Sequence, residues 1–299
     1  MARQEARDHH FVPRTLLRPW LVEEADGDLD PHGYWWDEKQ AKLVCKRRGL
    51  KSFCFQIDLL SLKAHNLGRD AIERLFFGEI DTKGAAARDV LLTDGAPRLS
   101  EDQRCDFARL LLSLDARRPA IVKRLRAEGT SYLANELDSD PRILTAMADP
   151  RIRTAMADFD NEKPSSYVER ELGWSLEDQA LTVIQGLVDN PKVGKRLINA
   201  HWGVKRLGSF DGSFVLSDRP LIRILGYDKP GAIWALPLTP KAAFIAANHH
   251  DNYERLMRTS APQFAKSMNR DSTAQTERFV FSTEMDHEKW LSKYLRRST

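Results

Sequence analysis

The sequence predicts an α+β fold: a helical N-terminal and central part packed on a small, mainly antiparallel C-terminal sheet, with helix exceeding strand. Three observations predict it. Apolar residues recur at helical spacing from about residue 69 to 199. After Ala200 they alternate, or run continuously as buried strands do. No stretch rich in Gly, Pro or Ser divides the two halves. Helices segregated ahead of strands argue against regular strand–helix alternation. The expected organisation is one composite domain over residues 1–299, helix-rich at 60–199, strand-rich at 200–282, with a C-terminal helix at 285–297.

Tyr34-Trp35-Trp36 and Lys42-Leu43-Val44-Cys45 flank the polar turn Asp37-Glu38-Lys39-Gln40 and read as a β-hairpin. Phe53–Ile57 reads as a further strand. Ser100-Glu101-Asp102-Gln103 is a capping box, with Phe107, Leu110, Leu111 and Leu114 on one face behind it. Arg118-Pro119 restarts the chain, since Pro suits the first turn of a helix. Ser175 opens another helix, whose Ala180, Val183, Ile184, Leu187 and Val188 form one apolar stripe. His201–Leu207, Ser213–Ser217, Ala232–Leu238, Ala242–Ala247 and Arg278–Ser282 read as strands. In the terminal helix Trp290 pairs with Tyr294 and Leu291 with Leu295, beside Lys289, Lys293, Arg296 and Arg297.

With 299 residues, 42% of them hydrophobic and 30% charged, the chain is a globular protein able to bury a sizeable core. No apolar run approaches the roughly 18–20 residues that span a bilayer. The first residues, MARQEARDHH, are charged and have no apolar segment behind them, so no secretory signal is expected and the expected compartment is the cytoplasm. Cys45, Cys54 and Cys105 form no C-x-x-C pair and are expected as reduced, mostly buried thiols. A net charge of +3 falls short of an electrostatic footprint for nucleic acid.

Residues Asp140–Ala148 and Asp149–Ala157 are a tandem repeat differing only at Leu144 and Arg153. Two nine-residue copies are too short for a solenoid. Each opens with Asp then Pro, the N-cap and first-turn pair, so two short helical turns are expected in a tolerant surface segment.

Four ordered motifs carry a family resemblance. His10-Phe11-Val12-Pro13-Arg14 precedes Leu17 and Trp20; an aromatic hairpin contains Trp35 and Trp36; Arg118-Pro119 closes an apolar helix; and Ser217-Asp218-Arg219-Pro220 precedes Pro237-Leu238-Thr239-Pro240. Asn269 and then Arg278–Phe281 follow. Together they resemble the bacterial domain-of-unknown-function family numbered 4238, over about residues 9 to 282. Arg219 stands where that family's motif has Asn, and the nine-residue duplication is particular to this chain. The resemblance implies candidate positions and no activity.

Among those positions, His10 offers an imidazole suited to acid–base work near neutral pH, and Arg14 a guanidinium able to hold phosphate or carboxylate beside it. The structural alternative is that His10 caps the following helix or fixes the N-terminus. Asp218, at the end of an apolar strand, would orient His10, or else form an Asx turn before Pro220. Arg118 would anchor an anion, or else complement a helix dipole. Asn269 joins Arg14 and Arg118 as a substrate-binding position. His249-His250-Asp251 cannot easily point at one metal from a strand, and no zinc or calcium spacing is present, so no metal and no cofactor are expected. The usual glycine-rich nucleotide loops and the nucleophile elbow are absent as well. The basic stretches Lys46–Lys51 and Lys289–Arg297 lie beside aromatic residues and point toward a nucleic-acid or nucleotide ligand.

Two function classes follow. One is a metal-independent hydrolase of phosphate esters, in the nuclease sense, with His10 and Asp218 as the catalytic pair. The alternative is a non-enzymatic ligand- or partner-binding module of a multi-component bacterial system, its protein partners unspecified.

Overall fold

The change of period near Ala200 is carried into the backbone as a four-stranded antiparallel sheet in the order His201–Arg206, Ala242–Ala247, Ile233–Thr239, Ile222–Ile224. The computed structural model describes residues 7–23, 27–63, 68–151, 163–227, 229–283 and 287–295. Helix makes up 54% and strand 19%, with antiparallel sheets, so the fold is α+β with helix in excess. The chain divides into two compact units, each assembled from three segments. The first comprises Met1–His9, Ile57–Phe77 and Ala116–Leu187; the second comprises His10–Gln56, Gly78–Asp115 and Val188–Thr299.

The first unit is helical. Pro119–Arg124 runs through a π turn at Leu125–Gly129 into Thr130–Ser139, followed by Pro141–Met147, Pro164–Glu171 and Leu176–Val188. Each of the helices starting at Pro119, Pro141 and Pro164 has Pro in its first turn, where a missing N–H costs nothing. The segment 57–63 is held by charge. Arg126 donates to the Ser61 carbonyl at 2.6 Å and pairs with Glu177, which also takes Lys63 Nζ at 2.6 Å. Buried Asp178 accepts the Lys63 N–H on both oxygens, at 2.9 and 2.8 Å. Fully buried His9 accepts the Leu60 N–H on Nδ1 at 2.8 Å, which places the ring proton on Nε2. In the repeat, Asp140 accepts the Arg142 N–H and Asp149 the Arg151 N–H, both at 2.8 Å, so the two copies open with one cap. The rest of the second copy, from residue 152, lies outside the described residues.

The second unit holds both larger sheets. Strand Leu29–Asp37 pairs with Leu21–Glu23, with Lys42–Arg47 and with Val280–Phe281, which in turn pairs with Leu216–Ser217. The expected hairpin forms with Trp36 opposite Leu43, and its turn extends to Ala41, whose φ of 46° is left-handed. Gly33 is required there, because a Cβ would stand 2.6 Å from the Phe53 ring. The buried strand Ile233–Thr239 accommodates Pro237 through a register shift opposite Ala242/Ala243, since proline cannot donate to the ladder. The capping box is realised: Gln103 N–H donates to Ser100 Oγ at 3.2 Å and Ser100 N–H to Gln103 Oε1 at 3.0 Å.

Several expectations are corrected. The stretch read as strand-rich contains two helices, His250–Arg258 and Ala261–Ala274. The second starts with Pro262 in its first turn and buries Phe264, Ala265 and Met268 against Phe214, Ile222 and Ile245 of the sheet. Only Phe55–Ile57 of the Phe53–Ile57 segment is strand, because Cys54 takes a left-handed φ of 52°. Val183 and Leu187 are exposed rather than part of the stripe formed by Ala180, Ile184 and Val188. All three cysteines are free thiols; Cys45 is exposed, whereas burial pushes the Cys54 thiol up. The terminal helix is described over His287–Leu295, with Leu291 and Leu295 buried against Tyr34 and Val280; Arg296 and Arg297 lie outside the described residues.

Candidate functional site

The predicted site residues fall in different settings. His10 ends the strand Asp8–His10, is half-buried, and lies 5.9 Å from the Phe55 ring between centroids. Its backbone is extended and the helix begins only at Arg14, so His10 and Arg14 are not on one helical turn. Arg14 is exposed. Arg118 belongs to the first unit, past the end of helix Glu101–Ala116, and is the N-cap of Pro119–Arg124. Its neighbour Arg117 is the buried cation, with its guanidinium 5.1 Å from the Phe77 ring centre.

Asp218 is 3% exposed, and its oxygens accept three backbone N–H groups: Glu277 at 3.0 Å, Arg278 at 2.7 Å and Phe279 at 2.9 Å. Among the described residues, His10 is not one of its donors. Burial pushes this carboxyl up to about 6, against the three N–H groups that favour its charged form. These bonds hold residues 277–279, which lead into the strand Val280–Phe281.

Asn269 leads to a site of a different kind. It lies on the inner face of helix Ala261–Ala274, 7% exposed; its Oδ1 accepts the Val215 N–H at 2.9 Å and its Nδ2 donates to the Ser213 carbonyl at 2.8 Å. One amide N–H and one lone pair remain uncommitted. Asn269 and Ser213 line a cavity of about 480 Å³ bounded by this helix, helix His287–Leu295 and residues 211–213. Its walls are mostly apolar.

Helical spacing sets the cavity's chemistry. Lys266 and Arg270, one turn apart, come from one helix; Trp290, Lys293 and Tyr294 come from the other. Trp290 and Tyr294 meet edge to face at 5.9 Å, and His287 meets Trp290 at 5.2 Å. Arg270 is paired with Asp271 at 3.0 Å, while Lys266 and Lys293 have no carboxylate partner among the described residues. The hydroxyl of Ser213, a residue 1% exposed, has no hydrogen-bond partner among the described residues. Buried hydroxyls without a partner are rare because each costs free energy. His287 Nδ1 and Ser282 Oγ share a hydrogen bond of 2.7 Å, which fixes the ring at the cavity wall.

The sequence reading reached Asn269 and the Trp290–Tyr294 pair, and missed Lys266, Arg270 and Ser213. The available signal was Ser260-Ala261-Pro262, a helix start, followed by apolar Phe264, Ala265 and Met268 at helical spacing. In the other basic stretch Lys46 Nζ sits 4.9 Å above the Trp35 ring, and Arg47, Arg48 and Lys51 are exposed. None of the described helices is long and apolar enough to cross a membrane.

Fold and cavity together define an α+β protein with a cation-rimmed, aromatic-walled pocket. Residues 8–286 match the model of a family described as a protein of unknown function, DUF4238, and the chain belongs to that family. No curated protein and no solved structure matches the chain.

Proposed function

We propose that the protein is a ligand-binding module that takes a small organic anion in the cavity between helices Ala261–Ala274 and His287–Leu295. The observation that carries this reading is the pair Lys266 and Lys293, exposed cations that line one pocket from two helices and have no carboxylate partner among the described residues. Two cations on the rim of one pocket raise the local concentration of anions there. The cavity volume falls within the range of small-molecule sites, and apolar walls with a few polar groups are the usual composition of such sites.

The phosphate-ester hydrolase reading has less support. It needs Asp218 to orient His10, yet the hydrogen bonds that Asp218 accepts come from backbone N–H groups. A binding role asks nothing of that pair.

Calorimetric titration with a panel of aromatic carboxylates, sulfonates and phosphates tests the proposal. Saturable binding that weakens at least tenfold in the Lys266→Ala/Lys293→Ala variant supports it. Equal binding by that variant, or cleavage of a phosphodiester that stops in His10→Ala, overturns it.

A further inference from the structure

We infer that the anion is a nucleotide, held one nucleotide per cavity; this rests on the cavity being the ligand site. The walls offer three kinds of complementarity together. Half-buried Trp290 and Tyr294 supply aromatic surface on which a planar base can stack. Lys266 and Lys293, with Arg270 paired to Asp271 beside them, supply positive charge for a phosphate monoester.

The third requirement separates nucleotides from simpler anions. Asp211 also lines the cavity; one of its oxygens accepts the Gly208 N–H at 2.7 Å and the other has no hydrogen-bond partner among the described residues. A carboxylate in a pocket for an anion is unfavourable unless the ligand presents donors there, as ribose hydroxyls or a base amino group do. Asn269 and Ser213 add further hydrogen-bonding capacity nearby. An inorganic phosphate would use the cations alone, and an acyl chain would leave the polar groups unmatched.

The loop beside the cavity is arranged in keeping with this. Asp211 N–H donates to the Gly208 carbonyl at 3.2 Å, and Gly212 takes a φ of 77°, so a tight turn presents Phe210 fully to solvent.

The test is calorimetry of the full chain against the four ribonucleoside monophosphates, adenosine, inorganic phosphate, benzoate and a single-stranded decanucleotide. At least one monophosphate is expected to bind with one-to-one stoichiometry, at least tenfold more tightly than adenosine, phosphate or benzoate. Affinity should fall as salt rises. Lys266→Ala/Lys293→Ala should weaken it tenfold or more, and Asp211→Asn should alter the ranking among bases or sugars while the protein keeps its melting temperature. A decanucleotide binding no more tightly per site than the monophosphate supports a free nucleotide; binding of the decanucleotide alone overturns the one-nucleotide fit. Benzoate or phosphate binding in a lysine-dependent way without any nucleotide leaves the anion site standing and overturns this inference. Silence from every anion overturns both.

Discussion

Asp218 and Phe279 exchange two hydrogen bonds: the Asp218 N–H donates to the Phe279 carbonyl at 2.9 Å, and the Phe279 N–H donates back to the Asp218 carboxylate at 2.9 Å. The strand Val280–Phe281 starts immediately afterwards, between Leu29–Asp37 and Leu216–Ser217. One buried carboxylate thus sets where the last strand enters the sheet. The Asp of the Ser-Asp-x-Pro motif therefore has a structural role.

Removing that carboxylate should unfold more than it inactivates. Asp218→Ala leaves the N–H groups of Glu277, Arg278 and Phe279 without acceptors. Each such group costs about 1–3 kcal/mol where water cannot replace the lost partner. A loss of about 3 kcal/mol is expected, seen as a Tm lowered by roughly 6–12 °C. A melting curve superimposable on wild type would show that the carboxylate is not structural.

The same group predicts a pH dependence. Burial raises the Asp218 carboxyl to about 6, above its unfolded value, so the folded chain holds the proton more tightly between about pH 4 and 6. Its contribution to stability is full below about pH 4 and is lost as pH rises through about 6. Asp218→Asn cannot titrate. The stability difference between wild type and this variant should therefore move in the variant's favour from pH 4 to 7, by up to about 3 kcal/mol. Urea denaturation at the two pH values measures it, and a carboxyl carbon titration should give a midpoint near 6. A midpoint below 4 would show that the N–H donors outweigh burial.

Local signals were legible in the sequence where they act within a few residues. The Ser100–Gln103 capping box, the Trp36–Leu43 hairpin pair and the Asp140 cap need only neighbours, and the structure forms all three. Helix Ala261–Ala274 escaped because it follows continuous apolar strands and carries polar Asn269, Ser272 and Thr273 on its buried face. Those side chains meet partners a binary pattern does not reveal: Asn269 bonds Val215 and Ser213, and Thr273 bonds the Asn269 carbonyl. The cavity brings residues 211–213 to two helices that start well beyond them in sequence, at Ala261 and His287, so only Asn269 and the Trp290–Tyr294 wall, spaced i and i+4, were visible beforehand.

Helix Gly78–Thr93 approaches helix Glu101–Ala116 closely at Gly84. A Cβ there would stand 2.6 Å from the Leu110 Cβ and 2.9 Å from its Cδ2. Alanine favours a helix interior over glycine by about 1 kcal/mol, but overpacking a core contact typically costs about 1–3 kcal/mol. Gly84→Ala should therefore destabilise by about 1 kcal/mol. Leu110→Ala should cost about 2–5 kcal/mol alone. That alanine keeps the Cβ that stands 2.6 Å away and removes only Cγ and beyond. The double variant should thus exceed the sum of the two in stability by no more than about 1 kcal/mol, the part of the clash made by Cγ and Cδ2. A stabilised Gly84→Ala would mean that the helices separate at no cost.

Asn269 separates a positioning role from a purely ligand-contacting one. Its Oδ1 and Nδ2 bind backbone groups of Val215 and Ser213, and the Ser213 segment forms part of the cavity wall. Asn269→Asp keeps an acceptor for the Val215 N–H but sets a carboxylate oxygen against the Ser213 carbonyl. Asn269→Ala removes both bonds and leaves a buried N–H and a buried carbonyl unsatisfied. Each unsatisfied group costs about 1–3 kcal/mol, so Asn269→Ala should lose about 2–4 kcal/mol. Asn269→Asp should recover part of that loss at low pH, where its carboxylic acid can donate, and little of it at pH 8. Anion affinity should track this pattern, measured at a temperature where each variant remains folded, because the displaced wall takes Ser213 with it. A residue that only touched ligand would give the opposite result: unchanged melting and a weakened titration in both variants at every pH. Melting curves at pH 5 and 8, beside ligand titrations at 15 °C, decide between the two roles.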